Sequence, residues 1–310
     1  MLNPSGRVRV SAGSVIGLAL TAFAAALQPL HAQDYGQVFV QVFDQRVGTL
    51  AANLHASEVV VYEDGVARQI LDVRPANLPQ SLTVLVDNGS ATAPAFDTLR
   101  ESLREFLAQR PAHEEVAIMT LAPEPRWVAG AEQNRSEIDI ANVLETLPSE
   151  SNAPAQLLDG LLTAADYLAA QPLRRPVILI LSGDGSDASA TLPQFELAGD
   201  MLEQHDITVH AVILTTPQIS AFERRLSMPE AIAQDLSRFT RGLFRSIFLG
   251  SQPGAQLTTI ADHMSARTGE LARQHRIRFA RPDDAPPGQI RVSVTRFGAR
   301  VQVSANGQLP

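Results

Sequence analysis

The sequence has no cysteine and no lysine; all 25 of its basic residues are arginine. Without cysteine there is no thiol nucleophile, no iron–sulfur cluster, no cysteine-ligated zinc and no disulfide. Without lysine there is no P-loop lysine, no Schiff-base lysine and no Ser-Lys dyad. The bland explanation for the arginine bias is codon usage. Hydrophobic runs of membrane-spanning length are also missing. The longest, Val15 to Leu27, falls short of the roughly 20 apolar residues a spanning helix needs. It follows the basic start Arg7 and Arg9 and precedes Leu30-His31-Ala32, so residues 1–32 read as a secretory signal peptide with cleavage before Gln33, the alternative being an uncleaved anchor. No cysteine follows the run, which excludes a lipoprotein anchor. The expected compartment is periplasmic or secreted, with no membrane-spanning segment after signal removal. Removing the leader would take away two arginines and no acid, moving the formal charge from −8 to −10. So acidic a chain does not read as a binder of nucleic acid.

What is present is ample apolar material. Hydrophobic residues make up 45% of the 310 and charged residues 19%, which suits a packed globular protein of one large domain or a medium and a small one. Residues 33–75 read as an N-terminal β unit: Val38 to Phe43 alternate loosely, and Val59-Val60-Val61-Tyr62 precede Glu63-Asp64-Gly65 and a second β-rich run, Ala67 to Val73. Asp-Gly between two such runs is a hairpin signal, since both turn positions tolerate positive φ. Arg74 to Gln80, with two prolines, reads as a linker.

Residues 80–250 alternate strand and helix. Strands are expected at Ser81 to Asp87, Glu115 to Leu121, Arg126 to Gly130, Pro176 to Ser182 and Ile207 to Leu214. Helices are expected at Phe96 to Gln109, Glu137 to Leu147, Gln156 to Ala170 and Phe195 to His205. Pro229 to Phe248 reads as a basic helix, and residues 251–310 as a further helix, Gln256 to Gln274, followed by β-strands. The unbroken apolar run Val177-Ile178-Leu179-Ile180-Leu181 is the signature of a strand buried on both faces. The fold class expected is α/β, a doubly wound and mostly parallel sheet, with a small β module built from the N- and C-terminal flanks. Ligands on such sheets collect at the carboxyl ends of the strands. There the sequence places Asp87-Asn88-Gly89-Ser90-Ala91 and Gly183-Asp184-Gly185-Ser186-Asp187, two turns carrying carboxylates and hydroxyls suited to a hard cation.

A strand ending in Asp87, a helix opening on Leu157-x-Asp159 and a strand ending in Ser182-Gly183-Asp184-Gly185 together resemble the von Willebrand factor type A domain. The flanks extend this. Val61-Tyr62-Glu63-Asp64-Gly65 before the domain, then Ile260-Ala261, Gln274 to Phe279 and Ile290-Arg291-Val292 after it, are similar to the bacterial von Willebrand factor A-related family of exported proteins. The resemblance covers nearly all of residues 35–305. It implies an adhesion or scaffold role and a metal-ion-dependent adhesion site of the form D-x-S-x-S, with a Thr before the Leu-x-Asp helix and a later Asp. Asp87 matches the first position. Gly89 and Ala91 stand where the two serines belong, Ala155 where the Thr belongs, and Asp184 matches the last Asp if Gly183 is an insertion.

The reading is therefore an exported, non-enzymatic protein-interaction module that binds a protein partner through Asp87, Asn88, Gly89, Ser90, Asp184 and Asp187, with no cofactor. The alternative is a weak Mg²⁺ or Mn²⁺ site at Asp87, Ser90 and Asp184. Without a metal, Asp87 and Asp184 are expected to cap helix N-termini, and Asn88-Gly89 to form a tight turn with positive φ at glycine. A hydrolase would need paired carboxylates or a histidine set in one cleft; a purely structural envelope component would fill its strand-end surface with its own loops. The histidines His55, His113, His205, His210, His263 and His275 have no metal-ligand spacing. There is no G-x-S-x-G elbow, and the calcium-loop likeness after Asp184 fails at Ser189 and Phe195. Arg224, Arg225, Arg238, Arg241 and Arg245 form a basic cluster, the last three expected on one helical face as a solvated surface or as a dock for an acidic partner. Trp127 is expected to pack on an edge strand.

Overall fold

The computed structural model describes residues 35–45, 49–50, 53–111, 114–130, 140–171, 174–216, 226–282 and 286–304. The leader, His113, Arg224 and Arg225 lie outside the described residues.

A small β module comes first. Strands β1 (Tyr35–Asp44), β2 (Thr49–Leu50), β3 (Val59–Glu63), β4 (Val66–Arg68) and β5 (Ile70–Pro75) precede the α/β unit; β12 (His275–Ala280), β13 (Ile290–Val294) and β14 (Ala299–Ser304) follow it. β1 lies between β12 and β14, β12 also pairs with β5, and β13 pairs with β3 in a separate three-stranded sheet, so both flanks share two sheets. Alternate residues of β1 and β12 (Val38, Val40, Val42, Ile277 and Phe279) meet Val59, Val61 and Val292 in one core. The Asp-Gly turn has positive φ at Asp64 (51°) and Gly65 (79°), which joins β3 to β4 as a tight hairpin. The expected single run Ala67 to Val73 is instead two strands in different sheets, because the chain changes sheet around Gln69.

Between the flanks lies a six-stranded sheet of β6 (Gln80–Val86), β7 (Glu115–Thr120), β8 (Arg126–Ala129), β9 (Arg175–Gly183), β10 (Thr208–Thr215) and β11 (Phe244–Phe248), in the order β11-β10-β9-β6-β7-β8. All neighbours are parallel except β8, an antiparallel edge on β7. Helices α1 (Phe96–Ala108), α2 (Ile140–Glu145), α3 (Leu157–Ala169), α4 (Leu192–Gln204), α5 (Met228–Phe239) and α6 (Gly254–Leu271) cover it. The apolar faces of α1, α2 and α6 fill the core on one side of the sheet; those of α3, α4 and α5 fill the other. β9 is buried on both faces, as its unbroken apolar run requires. In α1 the buried Phe96, Leu99, Leu103, Phe106 and Leu107 follow helical spacing. Trp127 lies on the β8 edge against the Tyr167 ring, 4.8 Å between centroids.

One expected helix is divided. Pro229 to Phe248 becomes α5, a turn and the strand β11. The helix stops where Arg241 takes positive φ (61°) and Gly242 passes so close to Val209 that a Cβ would sit 1.8 Å from the Val209 carbonyl oxygen. Arg238 therefore lies on a helix, Arg241 in a turn and Arg245 on a strand, and the three share no helical face.

Both crossings between the α/β unit and the β module meet at Arg175. Its buried Nη2 donates to the Ala76 carbonyl before β6 and to the Leu271 carbonyl at the end of α6, each at 3.0 Å. The Ala76 N–H donates to the Gln274 carbonyl, closing the same junction.

Candidate functional site

The chain runs outward in one direction from β6 through β7 to β8, and in the other from β9 through β10 to β11. The order reverses between the adjacent strands β6 and β9, and the crevice above such a reversal is where open α/β sheets bind ligands. Asp87 follows β6, and Ser182-Gly183 ends β9. The two sequence-selected turns are therefore neighbours at that point.

Asp87 is buried, and each of its oxygens is engaged. Oδ1 accepts from the Gly89 N–H (2.8 Å); Oδ2 accepts from the Ser182 hydroxyl (2.9 Å) and the Gly183 N–H (3.0 Å). Asn88, fully buried, braces two other loops: Oδ1 accepts from the Ala122 N–H (2.9 Å) and Nδ2 donates to the Pro148 carbonyl (3.1 Å). Thr92 Oγ1 donates to the Asp87 carbonyl (2.6 Å) and fixes the turn into α1. Asp184 is engaged elsewhere: its Oδ2 accepts from Thr216 N–H (2.7 Å) and Oγ1–H (2.9 Å) beyond β10. Asp187 lies beside Ala155, to which it is joined by a parallel bridge. Its Oδ1 accepts from the Leu157 N–H at the start of α3.

Two expectations are corrected. Neither Asp87 nor Asp184 caps a helix; the carboxylate at a helix N-terminus is that of Asp187, because the β9–α4 loop passes over the first turn of α3. Nor does Gly89 need positive φ, which among described glycines occurs at Gly65, Gly130, Gly250 and Gly298. Gly89 is required by proximity, since a Cβ there would lie 2.6 Å from the Ala153 carbonyl oxygen.

Of the six selected residues, Asp87, Asn88 and Gly89 are buried; Ser90 is exposed, and Asp184 and Asp187 are partly so. The first three shape the surface and the last three reach it. Sequence reasoning did not select Ser182, Ser189 or Thr216 as site residues, and these three hydrogen-bond Asp87, Asp187 and Asp184 respectively. Ser182, a hydroxyl at the end of an apolar run, was the one signal of this kind open to a reader of the sequence.

Sheet order, an Asp-led turn at the reversal point and the Leu157-x-Asp159 helix beside it are now together on one face. The α/β unit has a von Willebrand factor A-like fold. No family model matches the chain, and no curated protein matches it. Among solved structures, a von Willebrand factor type A protein from Catenulispora acidiphila is 10% identical, with 87% of this chain and 72% of that one covered and a TM-score of 0.49. The conserved hypothetical protein BatB from Bacteroides thetaiotaomicron is 9% identical over 62% of this chain and 99% of its own, TM-score 0.46. An aerotolerance-related membrane protein from Bacteroides fragilis is 11% identical over 60% and 99%, TM-score 0.45.

The von Willebrand factor A resemblance implies a Mg²⁺ or Mn²⁺ ion, and the residues present do not fit one. Mg²⁺ asks for six oxygen ligands in near-octahedral array, yet Gly89, Ala91 and Ala155 bring no side-chain oxygen to three of the expected positions. Asp87 is occupied by protein donors. The Ala91 methyl lies against the β9–α4 turn, so that a Cβ at Gly183 or Gly185 would be 2.6 Å from it. Among the described residues, no group of three or more His, Asp or Glu side chains is placed to hold a metal ion.

Proposed function

We propose that this chain is an exported, non-enzymatic interaction module whose protein partner docks on the face above the C-terminal ends of β6, β9, β10 and β11, without an obligatory metal. The observation that carries this reading is what surrounds the reversal point. At this end of the sheet Leu192 opens α4, Met228 opens α5 and Phe248 ends β11, and all three are large, apolar and exposed (68%, 60% and 59%). Exposed apolar side chains at the strand ends that also carry the polar turns suit a protein contact. The hydrolase alternative lacks support here, since among the described residues no histidine hydrogen-bonds Asp87, Asp184 or Asp187. No described helix is long and apolar enough to cross a membrane, and export rests on the leader pattern.

The absence of cysteine makes the test direct. Single-cysteine variants Ser90→Cys, Ser186→Cys and Phe248→Cys, carrying a photo-crosslinker, are exposed to envelope extract of the native cell alongside Arg273→Cys, beyond the C-terminal end of α6. A discrete adduct from the first three and none from the fourth supports the reading. Equal labelling from all four, or an adduct from Arg273→Cys alone, refutes it.

A further inference from the structure

The Asp87 contacts carry an inference that deepens the metal-independent part of the function proposed above. We propose that Asp87 is an internal strut between the ends of β6 and β9, holding the partner-facing turns in place with protein donors alone, so that the shape of this face is indifferent to Mg²⁺ and Mn²⁺.

At the reversal point of an open sheet, two parallel strand ends diverge into separate loops with nothing local to tie them together. Here one buried carboxylate ties two backbone N–H groups and one side-chain hydroxyl. Oδ2 takes the Ser182 hydroxyl and the Gly183 N–H at the end of β9, and Oδ1 takes the Gly89 N–H of its own turn. Hydrogen bonds to an ionised acceptor are among the stronger ones a protein makes, and burial strengthens them further. The Asp87 N–H also donates to the Leu181 carbonyl of β9 at 2.8 Å, so main chain and side chain act across the same gap.

The surroundings have closed over the place where a cation would be held. Ser90 N–H donates to the Ala153 carbonyl at 2.8 Å, drawing the next loop over Gly89. That carbonyl is the atom a Gly89 Cβ would meet at 2.6 Å, and the Ala91 methyl stands as close to Cβ positions at Gly183 and Gly185. Restoring hydroxyls at 89, 91 and 155 would therefore not rebuild a cation site: serine at 89 collides with main chain before its oxygen reaches anything.

The test is thermal unfolding of the purified chain in EDTA and in 5 mM Mg²⁺ or Mn²⁺, for wild type, Asp87→Asn, Ser182→Ala and the triple variant Gly89→Ser/Ala91→Ser/Ala155→Thr. The asparagine amide cannot accept from both Ser182 and Gly183 while also accepting from Gly89. Asp87→Asn should melt about 4–10 °C lower, by the same amount in EDTA and in either cation. Ser182→Ala, which removes one donor and leaves two, should fall less and equally in all three solutions; it decides the matter if Asp87→Asn does not fold. The triple variant should melt below wild type and gain nothing from cation. A cation-dependent rise for wild type that disappears in the Asp87 or Ser182 variant would overturn the proposal. So would an unchanged melting temperature for both of those variants. Because these readings come from the isolated chain, they fail or succeed independently of the crosslinks that test partner docking.

Discussion

Asp187 and Ser189 together close the N-terminus of α3 from a different loop. Asp187 Oδ1 accepts from the Leu157 N–H (3.2 Å), Ser189 Oγ accepts from the Leu158 N–H (3.1 Å) and the Asp159 N–H (3.3 Å), and the Ser189 hydroxyl donates to Asp187 Oδ1 at 2.8 Å. The first turn of an α-helix leaves its N–H groups without internal partners. Here the residue before the helix, Gln156, supplies no side-chain cap, and the β9–α4 loop does so in its place. The negative charge also lies at the favourable end of the helix dipole.

Ser189→Ala should therefore cost about 1–2 kcal/mol, the usual worth of an N-cap, although Ser189 is remote from α3 in sequence. Urea denaturation monitored by circular dichroism measures it. A loss below a few tenths of a kcal/mol would mean that Asp187 caps the helix alone.

Gly36 and Phe279 are directly opposite in the β1–β12 pair, and a Cβ at 36 would lie 2.1 Å from the Phe279 ring. Gly36→Ala should force the ring out of the β-module core and cost about 1–3 kcal/mol. Pairing it with Phe279→Leu, which shortens the side chain, should recover part of that loss in a double-mutant cycle. Strict additivity would show that the contact is not the cause.

Asp206 opens the way into β10 with positive φ (50°). Burial pushes its carboxyl up to about 6, outweighing the opposing pull of Arg241. The folded state thus holds a proton that the unfolded chain releases near 3.9. Its contribution favours folding below pH 4 and is lost as pH rises through 6. Asp206→Asn keeps the shape, tolerates positive φ and removes the charge. It should add about 1 kcal/mol at pH 7, after discounting for its solvent-exposed side, and the gain should vanish at pH 4. A variant less stable than wild type at both pH values would contradict this.

His210 works in the opposite sense. Burial pushes its imidazole down to about 3, with the positive charges of His263 and Arg110 acting in the same direction. Its Nδ1 accepts from the Leu243 N–H at 3.0 Å, which requires the neutral ring protonated on Nε2. Below about pH 6.5 the unfolded chain binds a proton that the folded state refuses, so stability falls as pH drops from 6.5 toward 3. The limiting slope is about 1.4 kcal/mol per pH unit. Between pH 4 and 6 Asp206 opposes this slope, so wild type should look flatter there than Asp206→Asn. Replacing His210 with glutamine should remove the acid loss between pH 6.5 and 5. Chemical denaturation at half-unit pH intervals gives all three curves, and a wild-type slope unchanged in His210→Gln would assign the loss elsewhere.

The fold class was legible because it rests on periodicity. Val177 to Leu181 announce a strand with helices on both sides, and Phe96 to Leu107 a helix with one buried stripe. Asp64-Gly65 was legible because the turn needs exactly those tolerant residues. β11 was misread as helix because Arg238, Arg241 and Arg245 fall at helical spacing. The feature that ends the helix is the close passage of Gly242 over Val209, which belongs to another strand.

The candidate site divides in the same way. The sequence by itself determined that Asp87 and Asp184 would stand at strand ends, since each follows an apolar run that must be buried. The resemblance to the von Willebrand factor A pattern also marked where its hydroxyls are missing, at 89, 91 and 155. Only the tertiary structure decided what the carboxylates do. Asp87 meets Ser182 and Gly183 because β6 and β9 are neighbours at the point where the sheet order reverses, Asp184 meets Thr216 because β10 lies beyond β9, and Asp187 reaches α3 because its loop crosses over Ala155. Strand order and loop crossing are set by packing between segments far apart in the chain, and a hydrogen bond between such segments leaves no periodic trace in either one.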